Sequence, residues 1–253
     1  MLLPIGDDNR DRHITPVVNY ILIAINILVF IFLQDYARDE VFIYTYSTVP
    51  AEIISGRDIA GTFGFGNPMT GKIEYITLGK TDLPIYSTLI TSMFMHGGWA
   101  HLLGNMLYLW ICGDNLENDM GHARYFVFYM LCGIVASLAH VFSTYYFGSN
   151  LYIPSLGASG AISGVLGGYL MMHPTRRMHV WILFTIVSLP ALIVVGLWFV
   201  FQIINGMGAL GGQEGGGVAY AAHIGGFVAG FILVRLFAGP KRRQLIQKRE
   251  AGW

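Results

Sequence analysis

The sequence predicts an all-α polytopic membrane protein, a bundle of six transmembrane helices with N- and C-termini cytoplasmic. Three observations predict it. Of 253 residues, 54% are hydrophobic and 12% charged, whereas soluble domains carry roughly 25% charged residues; mean hydropathy is +0.55. Six stretches meet or approach the ~20 apolar residues that cross a hydrocarbon core. Lys and Arg in the short flanks cluster at alternate connections, as cytoplasmic loops require.

Residues 1–14 are read as a retained cytoplasmic N-tail, since the apolar run behind them is too long for a signal-peptide core. Residues 15–238 hold the six-helix domain, and residues 239–253 form a basic cytoplasmic C-tail. The spans are expected at about 17–33, 86–111, 123–145, 158–172, 180–202 and 218–237. The fourth is short and glycine-rich, yet residues 125–175 contain no Asp, Glu, Lys or Arg, which leaves room for two crossings. Arg10, Arg12, Arg124, Arg176, Arg177 and the C-tail bases mark one side as cytoplasmic. The long first loop, about 35–85, carries Arg38, Arg57, Lys72 and Lys80, but long loops translocate regardless of charge. Its alternation of apolar and turn-forming residues predicts a partly structured element at the membrane interface. Zero net charge offers no basic face for nucleic acid. Cys112 and Cys132 lack framework spacing and are read as small core residues.

Polar side chains inside spans are costly, and each is by default a functional candidate. "HGGWAHLLGN" places His96, His101 and Asn105 in the second span, the last two one turn apart on one helix face. The fourth span begins with Ser159, and the sixth carries His223. All three spans enter from the outside, so Ser159, His223, His101 and Asn105 converge in the outer half. Gly160, Gly164 and Gly168, with Ala222, Gly226 and Gly230, form small-residue rows that let helices pack closely, most directly span 4 on span 6.

A serine hydroxyl is a weak nucleophile until a base accepts its proton, and His223 fits that role for Ser159. The Asn105 amide, the His101 ring and the Ser159 N–H at a helix start are candidate donors to an oxyanion. The apolar parts of spans 4 and 6 hold no carboxylate, so a dyad is simpler than a triad, and the group that orients His223 is left unnamed. Taken singly, the glycines read as packing, the histidine as structural and the asparagine as interhelical glue; their co-occurrence at matched depth argues for a site. His96 and His101 lack a carboxylate partner and a His-Glu-x-x-His pattern, so no metal is expected. For His13, His122, His140, His173 and His179 a loop or interface placement suffices. Ser155, Ser159 and Ser163 are expected to line a wet cavity. Residues 205–217, with seven glycines, suit a movable cap or a slack connector. Trp198, Phe199 and Phe201 suit an interfacial belt or a lipid-facing gate.

"GASG" opening span 4, "HLLGN" in span 2 and "AHIGGFVAG" in span 6 resemble, in order and placement, the signature motifs of rhomboid intramembrane serine proteases. "VPAEI", "GDNLENDMGHARY" and the glycine-rich loop before span 6 resemble bacterial members. The resemblance implies a six-helix rhomboid bundle, a Ser159–His223 dyad, and an oxyanion site of His101, Asn105 and the Ser159 N–H. It further implies a nucleophile loop shaped by Gly157 and Gly160, no cofactor, and transmembrane protein substrates in a lipid bilayer, cut near the outer face. The expected location is the cell (inner/plasma) membrane. Two features depart from the family pattern: a Trp-Arg pair of the first loop is absent, and Ser163 stands where some members carry a tyrosine that stacks on the histidine. A non-proteolytic client-binding scaffold is the alternative on this fold. A transporter would show paired broken helices and membrane carboxylates, and neither pattern is seen.

Overall fold

The computed structural model describes residues 2–66, 73–147, 150–210 and 219–239. The N-tail is not a plain extension: β1 (Leu2–Asp7) is a strand. After Pro16, α1 (Val17–Leu28) runs into a π-helical turn, Val29–Leu33. The first loop is structured, as its alternating pattern suggests. Asp39 caps α2 (Glu40–Thr45), its carboxylate accepting from the Phe42 N–H at 2.9 Å. Pro50 sits in the first turn of α3 (Pro50–Ser55), where its missing N–H costs nothing, and left-handed Gly56 ends that helix. β2 (Gly61–Gly66) and β3 (Ile73–Leu78) pair as an antiparallel hairpin.

The expected second span is broken. Short helical turns from Ile85, including α4 (Thr88–Thr91), stop at Phe94, and residues 95–98 are non-helical. A new helix, α5 (Trp99–Met120), starts after Gly98 and runs nine residues past the expected end at 111. His96 therefore precedes the helix that carries His101 and Asn105. α6 (His122–Tyr146) and α7 (Ser159–Met172) fall within a residue of the expected spans.

The expected fifth span is corrected more strongly. Its first half forms β4 (Arg177–Ile182) and β5 (Thr185–Pro190), and β4 also pairs with β1 in a three-stranded antiparallel sheet. Val180, Ile182, Thr185, Ile186 and Val187 are β-branched and fit a pleated surface better than a helix. Leu183 turns the hairpin at φ +54°. The helix proper, α8 (Ala191–Leu210), begins after Pro190, and α9 (Tyr220–Phe237) follows. The protein is mostly helical but, with five strands among the described residues, it is not all-α.

By length and composition α6 and α9 suffice to cross a membrane, and Val17–Leu33, Ile85–Phe94, Ser159–Met172 and Ala191–Met207 are shorter apolar helices. Apolar side chains such as Ile25, Leu131, Leu197, Ile204 and Ile232 are exposed along these helices, a surface that lipid covers without cost.

The core is organised around α6, α7 and α9, each of which packs on the other two. A Cβ on Gly160, Gly164 or Gly168 would meet Ala136 Cβ at 2.7 Å, Cys132 Cβ at 2.4 Å or Phe128 Cζ at 3.0 Å, all on α6. The row expected to face span 6 thus packs first on α6, antiparallel to α7. Contact with α9 uses the same logic from the other side: a Cβ on Gly226 would lie 2.1 Å from Gly160 O, and one on Gly230 1.9 Å from Gly164 O. Backbone touches backbone along a parallel α7–α9 pair.

The far end of the bundle is polar. Glu117 on α5 accepts from the N–H groups of Val18 and Asn19, at 2.9 and 2.7 Å, at the start of α1. Arg12 bonds Asp114 at 2.8 Å and Arg176 bonds Asp11 at 2.5 Å. Asp7 accepts from Asn115 at 2.9 Å and from the Tyr169 hydroxyl at the end of α7. Burial pushes the Asp7 carboxyl up to about 7.

Candidate active site

Ser159 is the first residue of α7, where helix N–H groups lack intrahelical partners and the dipole is positive. Its Oγ lies 2.8 Å from His223 Nε2 on α9. The glycine contacts just described create this proximity, because helices separated by larger side chains would hold the two groups apart.

His101 and Asn105 are one turn apart on α5. Asn105 is 7% exposed and its Nδ2 has no hydrogen-bond partner among the described residues. Such a donor is costly to leave unmet. His101 Nδ1 accepts from the Gly97 N–H at 3.4 Å, which leaves the proton of the neutral ring on Nε2. That nitrogen lies over Gly157: a Cβ there would sit 2.8 Å from His101 Nε2 and 3.6 Å from Ser159 Oγ. Gly157 also has φ +122°, so both its backbone and its surroundings exclude a side chain.

The loop that leads into Ser159 is fixed from the first loop and from Ser92. Thr48 and Ser155 exchange backbone hydrogen bonds at 3.0 and 2.8 Å, and the Gly157 N–H donates to Ser92 O at 2.9 Å. Thr48 and Ser92 hydroxyls are 2.9 Å apart. Without the Trp-Arg pair, this hydroxyl ladder positions the loop. A cavity of about 20 Å³ lies against it, lined by Ser92, Ser137, Ser155 and Ser159 among others, and a space of that size holds roughly one water. Ser163, expected in that lining, instead donates its hydroxyl to Ser159 O at 2.6 Å and is fully buried.

His96 packs edge-on to His101, with ring centroids 5.1 Å apart. No group of three or more His, Cys, Asp or Glu side chains able to hold a metal occurs among the described residues. Of the expected cap, residues 205–210 belong to α8, and 211–217 lie outside the described residues. Of the three aromatics assigned to a belt or gate, Phe201 is exposed, but Phe199 stacks on Phe227 with centroids 3.9 Å apart and Trp198 approaches His223 at 6.1 Å.

Gln202 on α8 is the site residue that sequence reasoning missed. It is 6% exposed, and its Oε1 lies 2.8 Å from His223 Nδ1. The signal was available, since the cost of a polar side chain in an apolar run singles out Asn105 and applies equally to Gln202.

A helical membrane protein with a serine and a histidine joined across two tightly packed helices is the class that fold and site define. The family model of the Rhomboid domain matches residues 85–240. The chain is 32% identical over 188 residues to RHOMBOID-like protein 4 of Arabidopsis thaliana, covering 70% of this chain and 43% of that one. It is 38% identical over 155 residues to Rhomboid protease GluP of Bacillus subtilis, covering 60% and 26%. With Rhomboid protein 1, mitochondrial, of Saccharomyces cerevisiae it shares 33% over 160 residues, 63% and 44% of the two chains. This chain belongs to the rhomboid family. The matched stretch spans less than half the length of each of these relatives.

Proposed function

We propose that the protein is an intramembrane serine endopeptidase that cleaves single-span membrane proteins near the outer face of a cell membrane. The observation that carries this reading is the 2.8 Å contact between Ser159 Oγ and His223 Nε2. In the proposed topology six spans leave both termini cytoplasmic. Support comes from the charged pairs of Arg12 and Arg176 at the end of the bundle opposite Ser159, the side that the positive-inside rule assigns to the cytoplasm.

In the reaction, His223 Nε2 accepts the hydroxyl proton as Ser159 Oγ bonds to the scissile carbonyl carbon. The resulting oxyanion is met by Asn105 Nδ2–H, His101 Nε2–H and the Ser159 N–H. His223 then hands its proton to the departing amine, and the C–N bond breaks to leave an acyl-serine. Water, for which the serine-lined cavity has room, attacks the ester with His223 again as base. A helical substrate must unwind locally before its carbonyl is reachable, so glycine or other weak helix formers near its outer end favour cleavage.

The test is cleavage of a panel of single-span substrates by the purified protein in proteoliposomes. Wild type is expected to cut, and Ser159→Ala and His223→Ala to be inert. Cleavage that survives Ser159→Ala removes the nucleophile, and substrate binding with no cleavage by wild type favours the client-binding scaffold.

A further inference from the structure

Resting on the dyad reading, we infer that Gln202 is a positioning residue that sets the protonation pattern of His223 from α8. A neutral imidazole carries one N–H and one lone pair, and the partner of one nitrogen decides the role of the other. For Ser159 to be activated, Nε2 must hold the lone pair. Gln202 Oε1, 2.8 Å from Nδ1, is an amide oxygen that can only accept. It therefore draws the proton to Nδ1 and leaves Nε2 open to the Ser159 hydroxyl at 2.8 Å. Both bonds are buried, so misplacing the proton strands two polar groups away from water, which disfavours the other tautomer.

The same helix packs the ring. Trp198 lies one turn before Gln202 on α8, with its ring 6.1 Å from that of His223. The two side chains provide from α8 the support that a tyrosine at position 163 would provide from α7. Ser163 is turned away into its own helix backbone, so the departure from the family pattern is matched by a neighbouring helix. The titratable side chains that interact with His223 are His101 on α5 and His140 on α6; both are bases, and neither replaces the Gln202 acceptor.

The experiment compares wild type, Gln202→Met and Gln202→Glu in the full-length protein by two readouts. The first is nitrogen NMR of histidine-labelled protein, with His223→Ala to assign the signal. Wild type is expected to show protonated Nδ1 and unprotonated Nε2, Gln202→Met a mixture of tautomers, and Gln202→Glu the wild-type pattern. This readout needs no turnover, so it separates failure of the positioning from failure of the protease assignment. The second readout is kinetic. Gln202→Met is expected to lower kcat several-fold at nearly constant KM, because neutral His223 is then divided between a productive and an unproductive form. Gln202→Glu restores the acceptor and adds a negative charge, so the acidic limb of its kcat profile moves to higher pH. A wild-type spectrum with the proton on Nε2, or Gln202→Met with unchanged tautomer and kcat, overturns the inference.

Discussion

Ser159, His223, His101 and Asn105 were all legible because each breaks an apolar run, and a polar group in hydrocarbon needs a reason. Gln202 broke its run in the same way but stood at the expected end of a span, where polarity is ordinary. Thr48 and Ser92 were not legible at all, since their contribution is to tie Ser155 and Gly157 to segments far away in the chain. Two expected outcomes belong to this scale. Asn105→Ala should retain turnover reduced about 100-fold, the usual cost of losing one oxyanion donor, as measured by kcat in proteoliposomes; an unchanged rate removes Asn105 from the site. Gly157→Ala should lower kcat through two effects, the φ of +122° and the His101 ring that meets any Cβ. Substrate binding by this variant should persist, so the split between kcat and KM distinguishes a displaced loop from a lost binding surface.

At the scale of the element, α6, α7 and α9 were readable and the second and fifth spans were not. Long apolar runs signal burial, but an apolar stretch alone does not distinguish a strand from a helix. Residues 180–189 are as apolar as the helix that follows, and only the β-branched residues and Pro190 hinted at the hairpin. The second span failed at His96-Gly97-Gly98, a segment with a weak helical preference that was passed over because its flanks are apolar. The α7–α9 contact gives the sharpest element-level expectation. Gly230→Ala inserts a methyl group 1.9 Å from the Gly164 carbonyl oxygen, and neither backbone can yield without separating the helices. Overpacking of this kind costs about 1–3 kcal/mol, so the variant should unfold at a lower temperature in detergent than wild type and lose activity as Ser159 and His223 part. Gly196→Ala on α8, where a Cβ meets nothing within 4 Å, is the control that should change neither.

At the scale of the molecule, one end of the bundle holds the Ser159–His223 pair and the other a network of carboxylates and arginines that fastens β1 to α5 and α7. Desolvation raises Asp7 to about 7 and Glu52, in the first loop, also to about 7. Between pH 4 and 7 the folded protein holds protons at these carboxyls that the unfolded chain has released. The stability that these two carboxyls contribute therefore falls as pH rises through this window and levels off above it. Thermal unfolding in detergent should show Asp7→Asn, which keeps the neutral shape, gaining Tm relative to wild type on going from pH 5 to pH 8. A Tm difference between Asp7→Asn and wild type that is the same at both pH values contradicts this account of the polar end.

The central claim is that these packing contacts make Ser159 reactive through His223, and mass spectrometry after treatment with a fluorophosphonate tests it most directly. The reagent reports an activated serine without requiring the natural substrate. A single adduct on Ser159 of the folded protein in lipid is the expected result, with labelling abolished in His223→Ala and slowed in Gln202→Met. An adduct on another serine, or labelling of Ser159 at an undiminished rate in His223→Ala, would contradict it.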